Sequence, residues 1–508
     1  MNKFLGRRSF LKSTGSAAAL LGLAAVSSAK AEEKDIHWDQ TVNYLIIGTG
    51  FAGLAAALES HYLGMKDVLV IDKMPSPGGN SIINGGAISA AGTDMQQKAG
   101  IKDSPDLLFA DIMKAGGGLA HASLGRRIAD ESVANYEWLR DQIGVKFKAV
   151  TYHGGHSVPR SHAVQENSGA GFINPMLAKC KEFGIPIQLR TIVDELIVSP
   201  SGCLLGVKAR KNYRMGRENS GKVAYIRSLK GVLIASGGFS QNVKMRSSHD
   251  PRLTAAFTST NHPGATGEMI QHAQKIGANT IHMDWIQLGP WTSPDENGFG
   301  IAPLAVESMV GYGPMIDPAT GKRFIKETGN RKVRADAIVA LGHPALIYTT
   351  EENFMNKVVG KNMKQEQFET ALKNNVIRKF DTLDELAAFY KVPLEALKET
   401  NKKFNEYMKA KKDPEFDCMF FKDGKLLEHG PYFALRLWPR VHHTMGGLEI
   451  NDKAQVLDVE GKPILGLYAA GEATGGVHGM VRLGTVAVAD CMIFGRTATR
   501  TANEFKGC

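Results

Sequence analysis

A chain of 508 residues is too long for one compact core, so two domains are expected. With 43% apolar and 22% charged residues, the composition is that of a globular protein and excludes a disordered one. The formal charge of +10 is not gathered into a basic tract with interleaved aromatics, which excludes nucleic-acid binding, and past the N-terminal segment no run reaches the roughly 20 apolar residues of a membrane span.

The first 31 residues read as a signal and not as part of the fold. Arg7-Arg8-Ser9-Phe10-Leu11-Lys12 is a twin-arginine pattern, Ala17 to Val26 is apolar and small, and Ala29-Lys30-Ala31 supplies an A-x-A cleavage site. Export to the periplasm by the twin-arginine route is expected, with cleavage after Ala31. That route carries proteins already folded, which suits one that takes up a cofactor first. The segment holds Lys3, Arg7, Arg8, Lys12 and Lys30 and no acid, so +10 less these five leaves +5 on the mature chain. Such a charge favours an acidic substrate or an acidic redox partner.

Next comes a β-rich run, Val42 to Ile47, leading into Gly48-Thr49-Gly50-Phe51-Ala52-Gly53, a helical stretch from Leu54 to Leu63, and a second strand, Val68 to Ile71, that ends at Asp72. Strand, G-x-G-x-x-G, helix, strand and acid in this order form the dinucleotide fingerprint. Gly48 permits the tight turn. Gly50 lets the backbone approach a pyrophosphate at the helix N-terminus. Gly53 lets helix and strand pack closely, and Asp72 is expected to accept from ribose hydroxyls. Gly78-Gly79-Asn80-Ser81 and Asn84-Gly85-Gly86-Ala87 follow as small-residue segments where backbone can lie against a flat ring. Val232 to Gly238 and Leu467 to Glu472 read as further strands entering glycine turns. A late segment that returns to complete an early dinucleotide site is a habit of two-dinucleotide flavoproteins, and together these segments favour FAD.

The cysteines are Cys180, Cys203, Cys418, Cys491 and Cys508. None forms a C-x-x-C, which excludes c-type haem attachment, a zinc knuckle and a cysteine-ligated cluster of the usual spacing. An odd number leaves at least one thiol free, and a disulfide scaffold is not expected at this size. His153, His156 and His162 lie in a glycine-rich loop at spacings without an accompanying Cys or acid, so the reading is a loop near flavin or substrate and no metal is expected.

Three stretches are more specific: Thr260-Asn261-His262-Pro263-Gly264-Ala265-Thr266-Gly267-Glu268, then His442-His443-Thr444-Met445-Gly446-Gly447, then Ala469-Ala470-Gly471-Glu472 with Gly475-Gly476-Val477-His478-Gly479. On these the chain, from about Asn43 to its C-terminus, resembles the soluble fumarate reductases of the flavocytochrome c type and their relatives acting on urocanate and methacrylate. The resemblance implies an α/β fold, with a Rossmann-like FAD-binding domain on a parallel sheet interrupted by a smaller α+β clamp domain. The parts are expected at 32–284 and 426–508 for the FAD domain and 285–425 for the clamp. It assigns a non-covalent FAD to Gly48, Gly50, Ala52, Gly53, Asp72, Lys73, Asn80, Ser81, Gly85, Gly86, Val193, Ser236, Gly237, Glu268, His443, Glu472, Ala487 and Val488. This chain has no haem domain, so a separate multihaem cytochrome c is implied as electron donor.

Reducing an enoate requires hydride at one alkene carbon and a proton at the other. Cations in a dry pocket suit this, because negative charge develops on the carboxylate side as hydride arrives. By resemblance, Arg482 and His443 hold the substrate carboxylate, with Arg482 suited to it by its bidentate fork. Arg331 is the proton donor, coupled to Glu307. Other positions depart from the family. Gly289 stands where the fumarate enzymes place a histidine for the second carboxylate. Val306 stands in place of a threonine and Val310 in place of a relay arginine. Burying a second carboxylate unpaired would cost several kcal/mol, roughly. The expected substrate is therefore a monocarboxylate such as methacrylate or urocanate in preference to fumarate, with Trp291 available to stack on a flat far end. An oxidase or dehydrogenase on the same fold is the second reading, against which Arg331, Arg482 and His443 together speak. A flavin electron-transfer subunit is the third.

Overall fold

The computed structural model describes residues 36–508 apart from 154 and 362. The twin-arginine pattern and the expected cleavage site lie outside the described residues.

The fold is α/β, as expected. Its centre is a six-stranded sheet in the order Gln455–Leu457, Pro463–Ala469, Val232–Ile234, Tyr44–Ile47, Val68–Ile71, Ile187–Gln188. Every pairing is parallel except at the first strand. Tyr44–Ile47, Val68–Ile71 and Val232–Ile234 are buried along their whole length, as strands covered on both faces must be. Early and late segments thus share one sheet.

Two helices cover one side. Phe51–Tyr62 packs along the C-terminal helix Val486–Glu504, and small residues bring them together. A Cβ on Gly495 would overlap the Ala52 carbonyl. Glu59 then accepts from Arg496 Nε at 2.7 Å and Arg500 Nε at 2.6 Å. The chain end is tied down again by a disulfide from Cys203 to Cys508, 305 residues apart. Cys180, Cys418 and Cys491 are free thiols. No scaffold of disulfides is present among the described residues, but one bond does form that cysteine spacing alone did not suggest.

A smaller unit follows, built on an antiparallel sheet in the order Lys322–Arg323, Met315–Asp317, Ala345–Thr350, Tyr432–Leu437, Arg378–Phe380. It has hydrophobic cores of its own, including Val306, Phe354, Phe404 and Phe433. Arg323 is buried inside it and bridges Glu327 at 2.7 Å and Asp413 at 2.6 Å. Tyr432–Leu437 is one of the inner strands of this sheet. Drawn by its sheet, the unit therefore runs past the expected limit at residue 425 to Leu437.

Candidate active site

The fingerprint folds as its glycines demand. Gly48 has φ 117° and its Cα lies so close to Ala235 that a Cβ would overlap that carbonyl. A Cβ on Gly53 would likewise overlap the Gly48 carbonyl, which explains the close contact of helix and strand. The helix from Phe51 has no cap from its own N-cap residue, Gly50. Its first N–H donates to Ser81 Oγ at 2.9 Å, and the remaining free amides make the end an anion site.

These elements wall a cleft that runs from the fingerprint to Glu472. Of the expected cofactor residues, Gly48, Gly50, Ala52, Asp72, Lys73, Asn80, Ser81, Val193, Ser236, Gly237, Glu268 and Glu472 line it. Gly53, Gly85, Gly86, His443, Ala487 and Val488 do not line this cleft. The length of the lining, from the fingerprint glycines to Glu472, and the amide-rich helix end fit a dinucleotide.

Asp72, at the cleft, also has a structural task. Its Oδ2 accepts from Thr49 N at 2.9 Å and Thr49 Oγ1 at 2.6 Å, and its Oδ1 accepts from Met74 N at 2.9 Å. The carboxylate thus braces the glycine turn, and Oδ1 keeps a lone pair that can accept from a ligand. Lys73 and Glu268 pair across the cleft, with Nζ 2.7 Å from both carboxylate oxygens. Burial opposes the charge on Glu268, but Lys73 and Thr266 outweigh it and hold the carboxyl below its usual range. Glu472 has no such partner. Burial raises it to about 7, although Thr444 N donates to it at 3.0 Å.

Between the two units lies a group of cations. Arg482, nearly buried, sends Nη2 towards Gln287 Oε1 at 3.4 Å and towards His442 Nε2 at 3.4 Å. Burial and the neighbouring Arg331 push it down to about 9. Arg331 opens the helix Arg331–Leu341, which Asn330 caps by accepting from Val333 N at 2.9 Å. Its guanidinium lies 5.4 Å from the ring centre of Trp291. Among the described residues, neither Arg331 nor Arg482 is in an ion pair. Two guanidinium groups that no carboxylate pairs directly, in one partly dry pocket, can receive an anion.

The histidine at this receptor is His442 and not the expected His443. His442 Nδ1 is 2.8 Å from Thr260 Oγ1, and its ring meets Trp291 edge-on at 4.7 Å. His443 lies on the other side, with Nδ1 3.6 Å from Glu472 and its ring 5.7 Å from His478. Successive residues of a strand point to opposite faces. A bulge sharpens the point. Strand Ile286–Gly289 pairs with Arg440–Thr444, but the register steps between Gln287↔His443 and Leu288↔Val441, which leaves His442 unpaired and free to turn inward. Burial, together with Arg482, depresses both rings well below the usual histidine range, so both are neutral.

Glu307 stands on the helix Ala302–Met309. Burial alone would raise its carboxyl, but Arg334 and Arg331 outweigh this and hold it lowered. Arg334 Nη2 donates to Glu307 Oε1 at 3.2 Å. Sequence reasoning missed Arg334, although it lies three residues after Arg331 and so on the same helix face. Val306 and Val310 pack into the apolar core of the smaller unit.

The three histidines have separate tasks, and His162 falls in the strand Ser161–Val164 and not in a loop. His156 Nε2 is 2.8 Å from Gly484 O, and His162 Nε2 is 2.7 Å from Thr93 Oγ1. His153 lies close enough to Arg331 and Glu307 to feel their charge, and burial pushes it down to about 4. The loop is fixed by Arg160, wholly buried, which grips Asp103 at 2.8 Å and Asp111 at 2.7 Å.

A family profile described as FAD binding domain matches residues 43–488. The chain is 41% identical over 505 residues to an acrylate reductase flavoprotein subunit of Shewanella woodyi, covering 98% of each chain. It is 32% identical to a urocanate reductase of Eggerthella lenta, covering 91% of this chain and 74% of that one. The open conformation of a flavocytochrome c3 fumarate reductase superposes with a TM-score of 0.76 at 31% identity, covering 92% of this chain and 79% of that one.

Proposed function

The chain belongs to the FAD binding domain family, among its flavin-dependent reductases of carbon–carbon double bonds, and on that premise we propose that it reduces a short α,β-unsaturated monocarboxylate of the acrylate and methacrylate class. FAD supplies the hydride when bound. Everything else falls to this chain's side chains. Arg482 and neutral His442 bind the substrate carboxylate, and Arg331, coupled to Glu307, protonates the other alkene carbon.

One observation carries the choice of a small substrate. Trp291, 3% exposed, fills the space beside Gly289 and touches both Arg331 and His442. A Cβ on Gly289 would overlap its ring carbons. The indole thus occupies the end of the pocket where a second carboxylate would need a polar partner, and apolar wall remains there instead. The same packing disfavours urocanate, since the ring face that was expected to stack on a flat substrate lies against Arg331. The acrylate-reducing relative, matched over nearly its whole length, supports the same class.

Export and an outside electron donor belong to the same reading. The twin-arginine pattern supports the periplasm, and so does the Cys203–Cys508 disulfide, a bond of oxidising compartments. No helix among the described residues is long and apolar enough to cross a membrane. The relative's description as a flavoprotein subunit supports a separate redox partner, here a multihaem cytochrome c.

Stopped-flow reoxidation tests the reading. The reduced holoprotein should be reoxidised rapidly by acrylate and slowly by oxygen. Rapid reoxidation by oxygen with no response to any enoate would instead mark an oxidase. No response to either would mark an electron carrier.

A further inference from the structure

Three histidines come from one stretch of chain, and two of them have plain structural partners. His156 Nε2 is 2.8 Å from Gly484 O. His162 uses both ring nitrogens, 2.7 Å from Thr93 Oγ1 and 3.0 Å from Arg160 O. His153 differs. Its Nδ1 is buried and has no protein partner, and among the described residues its ring makes no hydrogen bond. A buried polar atom left unpaired costs stability, and a phenylalanine would fill the same space without that cost. The position therefore asks for a reason other than packing.

Its surroundings offer one. The His153 ring packs on Gly484, where a Cβ would come to 3.4 Å from its Cγ and Cδ2. Gly484 lies two residues after Arg482, and Gly155 packs on Leu483 between them. The ring is close enough to Arg331, Glu307 and Arg482 to feel the charge of all three. Its loop is anchored: Ser157 N and Oγ donate to Asp111 at 2.8 and 2.6 Å, and Arg160 grips the same carboxylate. A fixed imidazole thus stands beside the two guanidiniums that can receive an anion. Burial and the nearby cations keep it neutral, so it carries one N–H donor and one acceptor and adds no third positive charge to repel the other two.

We propose that His153 is a specificity-determining residue that donates an N–H to the substrate carboxylate, as a third partner beside Arg482 and His442, and so selects the acid over neutral enoates; this rests on the enoate-reductase reading above. A carboxylate offers about four lone-pair sites. The Arg482 fork takes two and His442 one, which leaves a place for one more donor. A hydrogen bond to a charged oxygen is stronger than one to a neutral carbonyl, so an ester or an amide gains much less from His153 than an acid does. The carboxylate is present before and after reduction, so this bond serves binding and not the chemical step.

The test uses the FAD-loaded protein, with propionate and propionamide as binding probes read from the flavin absorbance and acrylate as substrate. His153→Phe keeps a flat ring and removes both nitrogens. The Kd for propionate and the KM for acrylate should rise about 10- to 100-fold, as for the loss of a hydrogen bond to a charged group, while kcat stays within about threefold. The Kd for propionamide should change by about threefold or less. His153→Gln, which keeps an N–H, should bring the propionate Kd back to within about threefold of wild type. Wild-type affinity for propionate in His153→Phe overturns the proposal, and so does an equal loss for both probes, which marks a packing role. A loss confined to kcat also overturns it and marks a partner of Arg331. If His153→Phe does not retain flavin, His153→Leu decides: an unchanged preference for propionate over propionamide overturns the proposal. A wild type inert to every enoate overturns this inference together with the functional reading, whereas an active wild type beside an unimpaired His153→Phe overturns this inference alone.

Discussion

Trp291 occupies the space that any side chain at residue 289 would enter, and only the absence of a Cβ on Gly289 permits it. The indole is then held from three directions, by Arg331 over its face, by His442 at its edge and by Phe299 at 5.9 Å. Gly289 and Trp291 act as one unit that shapes the pocket.

Trp291→Ala should therefore do two separable things. It should destabilise the protein by about 3–5 kcal/mol through the cavity it leaves. It should also raise kcat/KM for urocanate relative to acrylate by about tenfold or more, because the excluded end of the pocket opens. Thermal melting reads the first effect and competition between the two substrates reads the second.

The two adjacent histidines should separate by function. His442→Ala removes a neutral partner from the carboxylate receptor, and KM for acrylate should rise about 10- to 100-fold, matching the loss of a hydrogen bond to a charged group. Flavin content should stay at the wild-type level. His443→Ala, beside Glu472, should shift the flavin absorbance or lower its retention, with a smaller effect on KM. The purified variants' spectra and steady-state kinetics check both.

Glu472 gives a pH dependence with a definite sign. Its carboxyl is raised from 4.5 to about 7 by burial, so the folded protein binds the proton more tightly than the unfolded chain. The contribution is favourable below about 4.5 and is lost as pH rises towards 7. For the cofactor-free protein, Glu472→Gln should be about 3 kcal/mol more stable than wild type at pH 8, and the gap should close near pH 4.5. Denaturant melts at several pH values check this.

Cutting the disulfide should cost stability and spare catalysis. Cys203→Ser or Cys508→Ser frees the chain end and should lower stability by about 2–4 kcal/mol. Both residues lie away from the cleft that Glu472 ends, so kcat and KM for acrylate should be unchanged at a temperature where the variant is folded. The same loss of stability should follow from reduction of the wild type.

Much of this site is readable in the sequence. The glycines of the fingerprint are set by local backbone demands, so Gly48, Gly50 and Gly53 fold as their spacing dictates. The late strand ending at Glu472 also joins the sheet as its pattern suggests. What escapes are relationships between distant segments. The choice between His442 and His443 turns on a bulge in strand pairing, which no local pattern shows. Arg334 looks like an ordinary surface arginine until the facing helix brings Glu307 to it. The Cys203–Cys508 bond spans 305 residues and is invisible to spacing rules. The fingerprint places Asp72 at the cleft, but its bond from the Thr49 hydroxyl, which braces the glycine turn, is not legible from the spacing.

The most direct measurement is kcat/KM for acrylate, methacrylate, fumarate and urocanate, taken with one reduced dye on one preparation. The pocket described here predicts that acrylate or methacrylate exceeds both fumarate and urocanate by about tenfold or more. Fumarate outrunning both small monocarboxylates would contradict it.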